Sequence, residues 1–132
     1  MTIVVAYVPR PEGQAALDKG IEIAQRRNER LIVVNASPGG GPEKDSRKLA
    51  DAVEVERVEA LLAATGLDAE FRQFIRGKSA LTEIEEMVDA LGVSLVIIGL
   101  RKRTAVGKLI LGSVAQDILL GVPCPVLAVK AH

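Results

Sequence analysis

Four short segments of the chain consist almost entirely of valine, isoleucine and leucine. They are Ile3 to Val8, Leu31 to Val34, Leu95 to Ile98 and Val126 to Val129. An apolar run without polar interruptions is typical of a strand in a parallel sheet that is covered on both faces. These segments therefore predict four buried parallel strands.

A fifth segment, Ala69 to Ile75, has a different pattern. Ala69 and Phe71 alternate with Glu70 and Arg72. Alternation of apolar and polar residues puts the two kinds of side chain on opposite faces of a strand. The segment is therefore predicted to be a half-exposed strand at the edge of the sheet.

The segments between these strands carry helical patterns. A first helix is indicated by apolar or small residues at spacings of three and four, with Pro11 in its first turn, where proline is tolerated. These residues are Leu17, Gly20, Ile21 and Ala24. A second helix is predicted to begin at a cap formed by Asp45 or Ser46 and to end before Gly66.

Two further helices complete the pattern. One is predicted from Ser79 to Gly92, and the last covers Ser113 to Leu120 and is stopped by Gly121 and Pro123. The resulting order is strand and helix in strict alternation, which requires right-handed crossovers and helices on both faces of the sheet. We therefore expect one doubly wound, open α/β domain with a five-stranded parallel sheet over residues 1–132.

Charge and aromatic content weaken the case for a nucleic-acid ligand. The chain has 17 Lys and Arg against 17 Asp and Glu, so its formal net charge is zero. Aromatic residues make up only 2%, which leaves few rings on which bases could stack. We expect no nucleic-acid partner, and any site for an anion has to be local.

Cysteine and histidine are too scarce for several kinds of site. Cys124 is the single cysteine and His132 the single histidine, which argues against a Cys/His metal centre and a Ser-His-Asp triad. No segment approaches the roughly 18 apolar residues of a membrane span, and no basic leader precedes the first strand. We expect a cytoplasmic protein with no membrane partner.

The segment after the fourth strand is the strongest candidate for binding a ligand. In an open α/β sheet, ligands bind beyond the carboxyl ends of the strands. This segment brings glycines and four cations to that end and leads into the last helix; the cations are Arg101, Lys102, Arg103 and Lys108. A helix N-terminus presents free N–H groups to an anion, so a phosphate is predicted at Gly112, Ser113 and Val114.

Each of these features also has a purely structural interpretation. The four cations can form a solvated loop tip, and Ser113 can cap its own helix instead of donating to a phosphate. Tyr7 can flank a base or be a residue at the edge of the core. Asn35, Ala36 and Ser37 can contribute backbone groups to an adenine pocket or simply form the turn after the second strand.

The last third of the chain resembles the signature of the universal stress protein family. That signature has a glycine, two residues, a glycine, nine residues, a glycine and a Ser or Thr, followed by a helix and a Pro-Val-Leu-Val strand. Gly99, Gly112 and Ser113 match it, as does the segment from Pro125 to Val129. The resemblance extends over nearly the whole chain.

The resemblance implies a sheet of order 3-2-1-4-5 and a homodimer in which strands 126–129 pair antiparallel. In some members of the family, ATP or another adenine nucleotide binds between strands one and four. From the resemblance and the residue pattern together, the residues expected at such a site are Gly99, Arg101, Lys102, Gly112, Ser113, Val114, Tyr7, Val8 and Ala36. Some members of the family lack the glycine signature and bind no ATP.

Two positions depart from the ATP-binding pattern. Lys102 occupies the place of the second signature glycine, and Val8 occupies that of an acidic residue which meets the nucleotide sugar. The neighbouring cations can replace backbone amides in neutralising a phosphate. The leading hypothesis is a nucleotide-binding homodimer; the alternatives are an interaction dimer without a nucleotide site and, third, a weak nucleotide hydrolase.

Overall fold

In a computed structural model, strands and helices alternate along the described part of the chain, residues 1–36, 51–74, 79–102 and 109–131. The side chains at 36, 74, 102 and 109 are outside this description. The strands are β1 (Thr2–Ala6), β2 (Arg30–Ala36), β3 (Ala69–Phe74), β4 (Val93–Lys102), β5 (Leu109–Ile110) and β6 (Val126–Lys130). The helices are α1 (Pro11–Arg27), α2 (Ala52–Ala64), α3 (Ala80–Leu91) and α4 (Ser113–Gly121).

The sheet has the predicted doubly wound topology. Its parallel strands follow the order β3-β2-β1-β4-β6, so β6 is the fifth strand of the predicted 3-2-1-4-5 arrangement. β3 lies at one edge, as its alternating sequence predicts, with Glu70 paired to both Arg30 and Arg72. The predicted fold class is confirmed.

The end of β4 differs from the sequence-based expectation. The strand does not stop at Ile98 but continues to Lys102, because β6 pairs alongside it as far as Leu100 and Lys130. Beyond that point, the two-residue strand β5 pairs antiparallel with Arg101 and Lys102. Part of the predicted loop is therefore strand, because pairing with neighbouring strands outweighs the weak local signal of this polar segment.

The start of α2 differs from the prediction, whereas two other helix ends agree with it. That helix begins at Ala52, and the Asp51 side chain accepts a hydrogen bond from the Glu54 N–H. The prediction of an earlier start was wrong; Asp45 and Ser46 themselves lie outside the described residues. Ser79 caps α3, and Gly66 follows α2 with a positive φ, both as predicted.

Two hydrophobic clusters cover the two faces of the sheet. On one face, α1 and α2 pack against β-strand residues such as Ile3 and Val5. On the other face, α3 and α4 pack against residues such as Val4 and Ile98. Successive residues of a strand point to opposite faces, so burial on both faces explains the uninterrupted apolar runs.

A polar cluster fastens α2 to the carboxyl end of β1. The buried Tyr7 hydroxyl donates to a Glu54 carboxylate oxygen, and Arg57 Nη2 donates to the Tyr7 hydroxyl at 3.2 Å and to Gln14 Oε1 at 2.6 Å. The Tyr7 ring meets Phe71 edge to face, with centroids 6.1 Å apart. Burial, followed by the bond to Glu54, raises the pKa of Tyr7 to about 12.

A second close contact fixes α1 against β4. A Cβ atom at Gly99 would lie 2.1 Å from the Glu12 carbonyl oxygen, far inside contact distance. The backbone of the first turn of α1 therefore lies directly on β4, and only glycine permits this approach. Gly99 is thus required by packing, whether or not it contacts a ligand.

Replacing Gly99 with alanine should destabilise the fold, because backbone atoms cannot move aside as a flexible side chain can. We expect Gly99→Ala to lose roughly 1–3 kcal/mol of unfolding free energy, measured by urea denaturation. Gly112→Ser is the matched control, because a Cβ atom at Gly112 meets nothing within 4 Å. Equal stability of the two variants would contradict this account of Gly99.

The Tyr7 cluster predicts a specific dependence of stability on alkaline pH. A folded-state pKa above the unfolded value contributes stability that is lost as pH rises from 10 toward 12. We expect Tyr7→Phe to be less stable than wild type by about 1 kcal/mol at pH 7. Between pH 10 and 12 its stability should fall less steeply than that of wild type. Parallel pH profiles for the two proteins would refute the assignment.

Candidate functional site

A cavity of about 290 Å³ lies at the carboxyl ends of β1 and β4. Its volume is near the lower end of the range for small-molecule sites. Its walls come from β1 and the following turn, the start of α1, the ends of β2 and β4, and the starts of α3 and α4. The lining residues are Ala6, Tyr7, Val8, Arg10, Glu12, Gly13, Val34, Ala80, Ile98, Gly99, Arg101, Gly112, Val114 and Ala115.

The cavity is bordered by the N-terminal turns of three helices. Glu12 and Gly13 belong to the first turn of α1, Ala80 begins α3, and Val114 and Ala115 belong to the first turn of α4. N-terminal turns carry backbone N–H groups without intrahelical partners and the positive end of the helix dipole. Their convergence favours a negatively charged group in the cavity.

The start of α4 is the most open of these turns. Gly112 is the exposed N-cap residue, with φ −66° and ψ 163°, and it has no side chain with which to cap the helix. Its carbonyl accepts the Gln116 N–H at 2.8 Å. These backbone angles are accessible to any residue, and a Cβ atom would fit. Within the described structure, packing and backbone conformation therefore do not require a glycine here.

Two arginines bring positive charge to the cavity. Arg101 pairs across the β4–β5 ladder with Ile110, two residues before Gly112, so it lies beside the start of α4. Arg10 is the N-cap residue of α1. Within the part of the chain that the structure describes, neither arginine side chain is held by a hydrogen bond or an ion pair.

Apolar side chains form the inner walls. Val34 and Ile98 at the ends of their strands are fully or almost fully buried, and Ala6, Val114 and Ala115 pack on the same hydrophobic cluster. An apolar interior with a few charged groups at its rim suits a ligand that has a flat, weakly polar body and a charged end. Such a division is characteristic of nucleotides.

Six of the residues predicted from the sequence line this one cavity. They are Tyr7, Val8, Gly99, Arg101, Gly112 and Val114. Ala36 ends β2 opposite residue 74, and its side chain lies outside the described part of the structure. Ser113 is the first residue of α4, directly after Gly112. Lys102 lies at the end of β4, where its backbone pairs with Leu109.

Tyr7 borders the cavity, but its side chain is committed elsewhere. The ring belongs to the hydrophobic cluster beneath α1 and α2, and the hydroxyl is bonded to Glu54 and Arg57. The Tyr7 carbonyl accepts a hydrogen bond from buried Asn35 at 2.9 Å. The structure thus places the aromatic ring on the opposite face of the sheet from Val34 and Ile98.

The sequence analysis missed the contribution of α1. Arg10, Glu12 and Gly13 all line the cavity, yet none was singled out. A usable signal was present, since Pro11 marks a helix start directly after a predicted strand. The rule that draws attention to the turn after β4 applies equally to the turn after β1.

Other kinds of site find little support. Among the described residues, no three or more His, Cys, Asp or Glu side chains are grouped so that they could hold a metal ion. Burial raises the pKa of the Cys124 thiol, which reduces its thiolate fraction. None of the described helices is both long enough and apolar enough to span a membrane.

Comparison with known proteins gives a consistent result. Residues 1–130 match the model of the universal stress protein family. A universal stress protein of Mycolicibacterium smegmatis is 47% identical over 130 residues, which is 98% of each chain. The solved universal stress protein of Archaeoglobus fulgidus has a TM-score of 0.75 at 29% identity, covering 98% of this chain and 97% of its own. A solved structure of a universal stress protein from A. fulgidus in complex with dAMP has a TM-score of 0.69 at 24% identity, covering 98% of this chain and 96% of its own.

The family match covers nearly the whole chain. The doubly wound sheet and the cavity at the carboxyl ends of β1 and β4 are independent features of the structure. Close similarity to the mycobacterial relative over its full length excludes a match restricted to one shared motif. The chain therefore belongs to the universal stress protein family.

Proposed function

We propose that this protein binds an adenine nucleotide in the cavity between β1 and β4. The observation that carries the proposal is the open start of α4, where a Cβ atom at Gly112 would meet nothing within 4 Å and Arg101 lies alongside. Three helix N-termini favour negative charge at the same place. The complex of the A. fulgidus relative with dAMP supports adenine as the base.

The nucleotide would use the two parts of the cavity differently. Its phosphate would rest against the backbone of Gly112, Ser113 and Val114, with Arg101 and Lys102 neutralising its charge. The base would lie against the apolar walls near Val8, with the ends of β1 and β2 at Tyr7 and Ala36 bordering it. Gly99 would act indirectly, by letting the first turn of α1 lie on β4 at the edge of the cavity.

We propose a sensing role for the bound state rather than catalysis. The cavity contains one carboxylate, Glu12, and two arginines, and none of these forms an acid and base pair with another titratable group in the described structure. General acid–base catalysis requires a side chain positioned within hydrogen-bond reach of the proton that it transfers, and a neighbouring titratable group commonly tunes its pKa for that task. The protein would then act in the cytoplasm by presenting a different surface when the nucleotide is bound.

We also propose that the protein is a homodimer through the outer edge of β6. Among the described strands, β6 pairs with β4 alone, and Val126, Leu127 and Val129 are half-buried. An apolar edge strand with free backbone groups is prone to pair with another chain. Antiparallel pairing with a second copy would satisfy those groups.

An interaction dimer without a nucleotide remains a second candidate. It is favoured by the exposed side chains of Leu119 and Leu120 at the end of α4, since large apolar side chains on a surface often mark a contact with another protein. Both candidate functions include the dimer, and they differ only in whether the cavity binds a nucleotide. Ligand binding therefore separates them.

The nucleotide site can be tested by substituting Gly112 with aspartate. The side chain fits the backbone, and aspartate is a favoured N-cap residue, so stability should be maintained or raised. Its negative charge would occupy the place proposed for the phosphate. We expect calorimetry with ATP, ADP, AMP and cyclic AMP to show saturable binding by wild type and an at least tenfold loss in Gly112→Asp.

Gly112→Ser is the matched control, because it adds a cap of similar size without charge. It should be as stable as Gly112→Asp and retain most of the affinity. If wild type binds none of these nucleotides at millimolar concentration, the interaction dimer is the better account. If wild type, Gly112→Asp and Gly112→Ser bind the nucleotides with equal affinity, the phosphate does not bind at the start of α4.

The dimer can be tested by blocking the outer edge of β6. The Ala131 N–H donates to the Leu100 carbonyl, and Val96 donates to the Pro125 carbonyl, so odd-numbered residues of this strand bond to β4. The Ala128 N–H therefore points outward. We expect Ala128→Pro to sediment as a monomer of about 14 kDa and wild type at twice that mass.

Ala128→Ser keeps the outward N–H and should remain dimeric. A monomeric wild-type protein at micromolar concentration would refute the proposed pairing. A dimeric Ala128→Pro variant that keeps the wild-type circular dichroism spectrum would place the interface elsewhere.

A further inference from the structure

The cavity has two basic regions that approach it from opposite faces of the sheet. α1 packs in the hydrophobic cluster on one face, and its N-terminus brings Arg10 to the cavity. α4 packs in the cluster on the other face, and its N-terminus lies beside Arg101. A single phosphate group held at one helix start leaves the other basic region without a counter-charge.

Arg10 is placed to bind a ligand rather than to stabilise its own helix. It occupies the N-cap position of α1, where its guanidinium group has no acceptor with which to cap the free N–H groups, and its backbone N–H donates to the Val8 carbonyl at 2.8 Å. The side chain is half-buried in the cavity lining. Within the described structure it has no carboxylate partner, which is an unusual state for a half-buried guanidinium group.

Glu12 lies in the same lining, and in the described structure it forms an ion pair with neither Arg10 nor Arg101. Its backbone packs on Gly99, which holds the residue between the ends of β1 and β4. A carboxylate accepts hydrogen bonds from hydroxyl groups but repels phosphate. The lining thus offers two places for anions and one acceptor suited to a sugar hydroxyl.

We propose that the preferred ligand is an adenine nucleotide with two phosphate groups on different positions of the ribose, of the class of adenosine 3′,5′-bisphosphate. One phosphate would bind at Gly112 and Arg101, the second would bind Arg10, and the remaining ribose hydroxyl would donate to Glu12. This inference rests on the proposed nucleotide site and adds the identity of its ligand class. A guanidinium group binds phosphate through paired, charge-assisted hydrogen bonds.

The test compares ligands that differ only in where the phosphates are attached. Calorimetry would measure binding of adenosine 3′,5′-bisphosphate, ADP and AMP to wild type, Arg10→Ala and Arg26→Ala. ADP carries two phosphates in one chain and so controls for charge. Arg26 is on the same helix with a side chain 77% exposed, far from the lining, and controls for loss of one positive charge.

We expect wild type and Arg26→Ala to bind the bisphosphate about tenfold more tightly than ADP or AMP. Arg10→Ala should lose that preference while its affinity for AMP changes less than about twofold.

If AMP binds but the bisphosphate has no advantage in wild type, the two-phosphate inference fails and the nucleotide site stands. If none of the three ligands binds, both proposals fail. Since the wild-type comparison needs no substitution, misfolding of a variant does not affect it.

Discussion

The structure depends on one topological constraint: β1 and β4 lie side by side and parallel, but the helices that follow them leave on opposite faces of the sheet. The two chain segments therefore diverge at the carboxyl ends of the strands and cannot fill the space between them. A cavity is the geometric result. It exists because of strand order, and the residues around it decide what it can bind.

The rim of this cavity is held by contacts that leave little freedom. The backbone of α1 lies directly on Gly99 of β4, and the Tyr7 hydroxyl joins β1 to Glu54 and Arg57 of α2. In this cluster the bond from Arg57, together with the one from Tyr7, holds the pKa of Glu54 below its usual value, so the carboxylate stays charged at neutral pH. A site with rigid walls is preorganised, so less conformational entropy is lost when the ligand binds.

Electrostatics and packing give the two helix starts different characters. At α4, Gly112 is exposed and a Cβ atom there would meet nothing within 4 Å, so its backbone is accessible. At α1, the first turn is packed on β4, and charge is supplied by the Arg10 and Glu12 side chains instead. The proposed ligand follows from this contrast, because an accessible backbone suits one phosphate and a guanidinium group suits another.

Much of the fold and about half of the site could be predicted from the sequence alone. Uninterrupted apolar runs identified the parallel strands, because burial on both faces excludes polar residues, and the caps at Ser79 and Gly66 located two helix ends. The segment from Gly99 to Ser113 drew attention because its glycines and cations are adjacent in the chain. Local patterns of this kind are visible before folding.

Other features were decided only by tertiary structure. β4 extends to Lys102 because β6 and β5 pair with it, and no local pattern encodes those partners. Arg10 and Glu12 join Arg101 and Gly112 across about ninety residues of chain only because parallel pairing aligns the ends of β1 and β4. Even Tyr7, which borders the cavity, turns its ring to the opposite face, since the alternation of β1 sets that direction. The sequence by itself determined which segments form strands and helices, whereas the pairing of the strands decided which side chains meet.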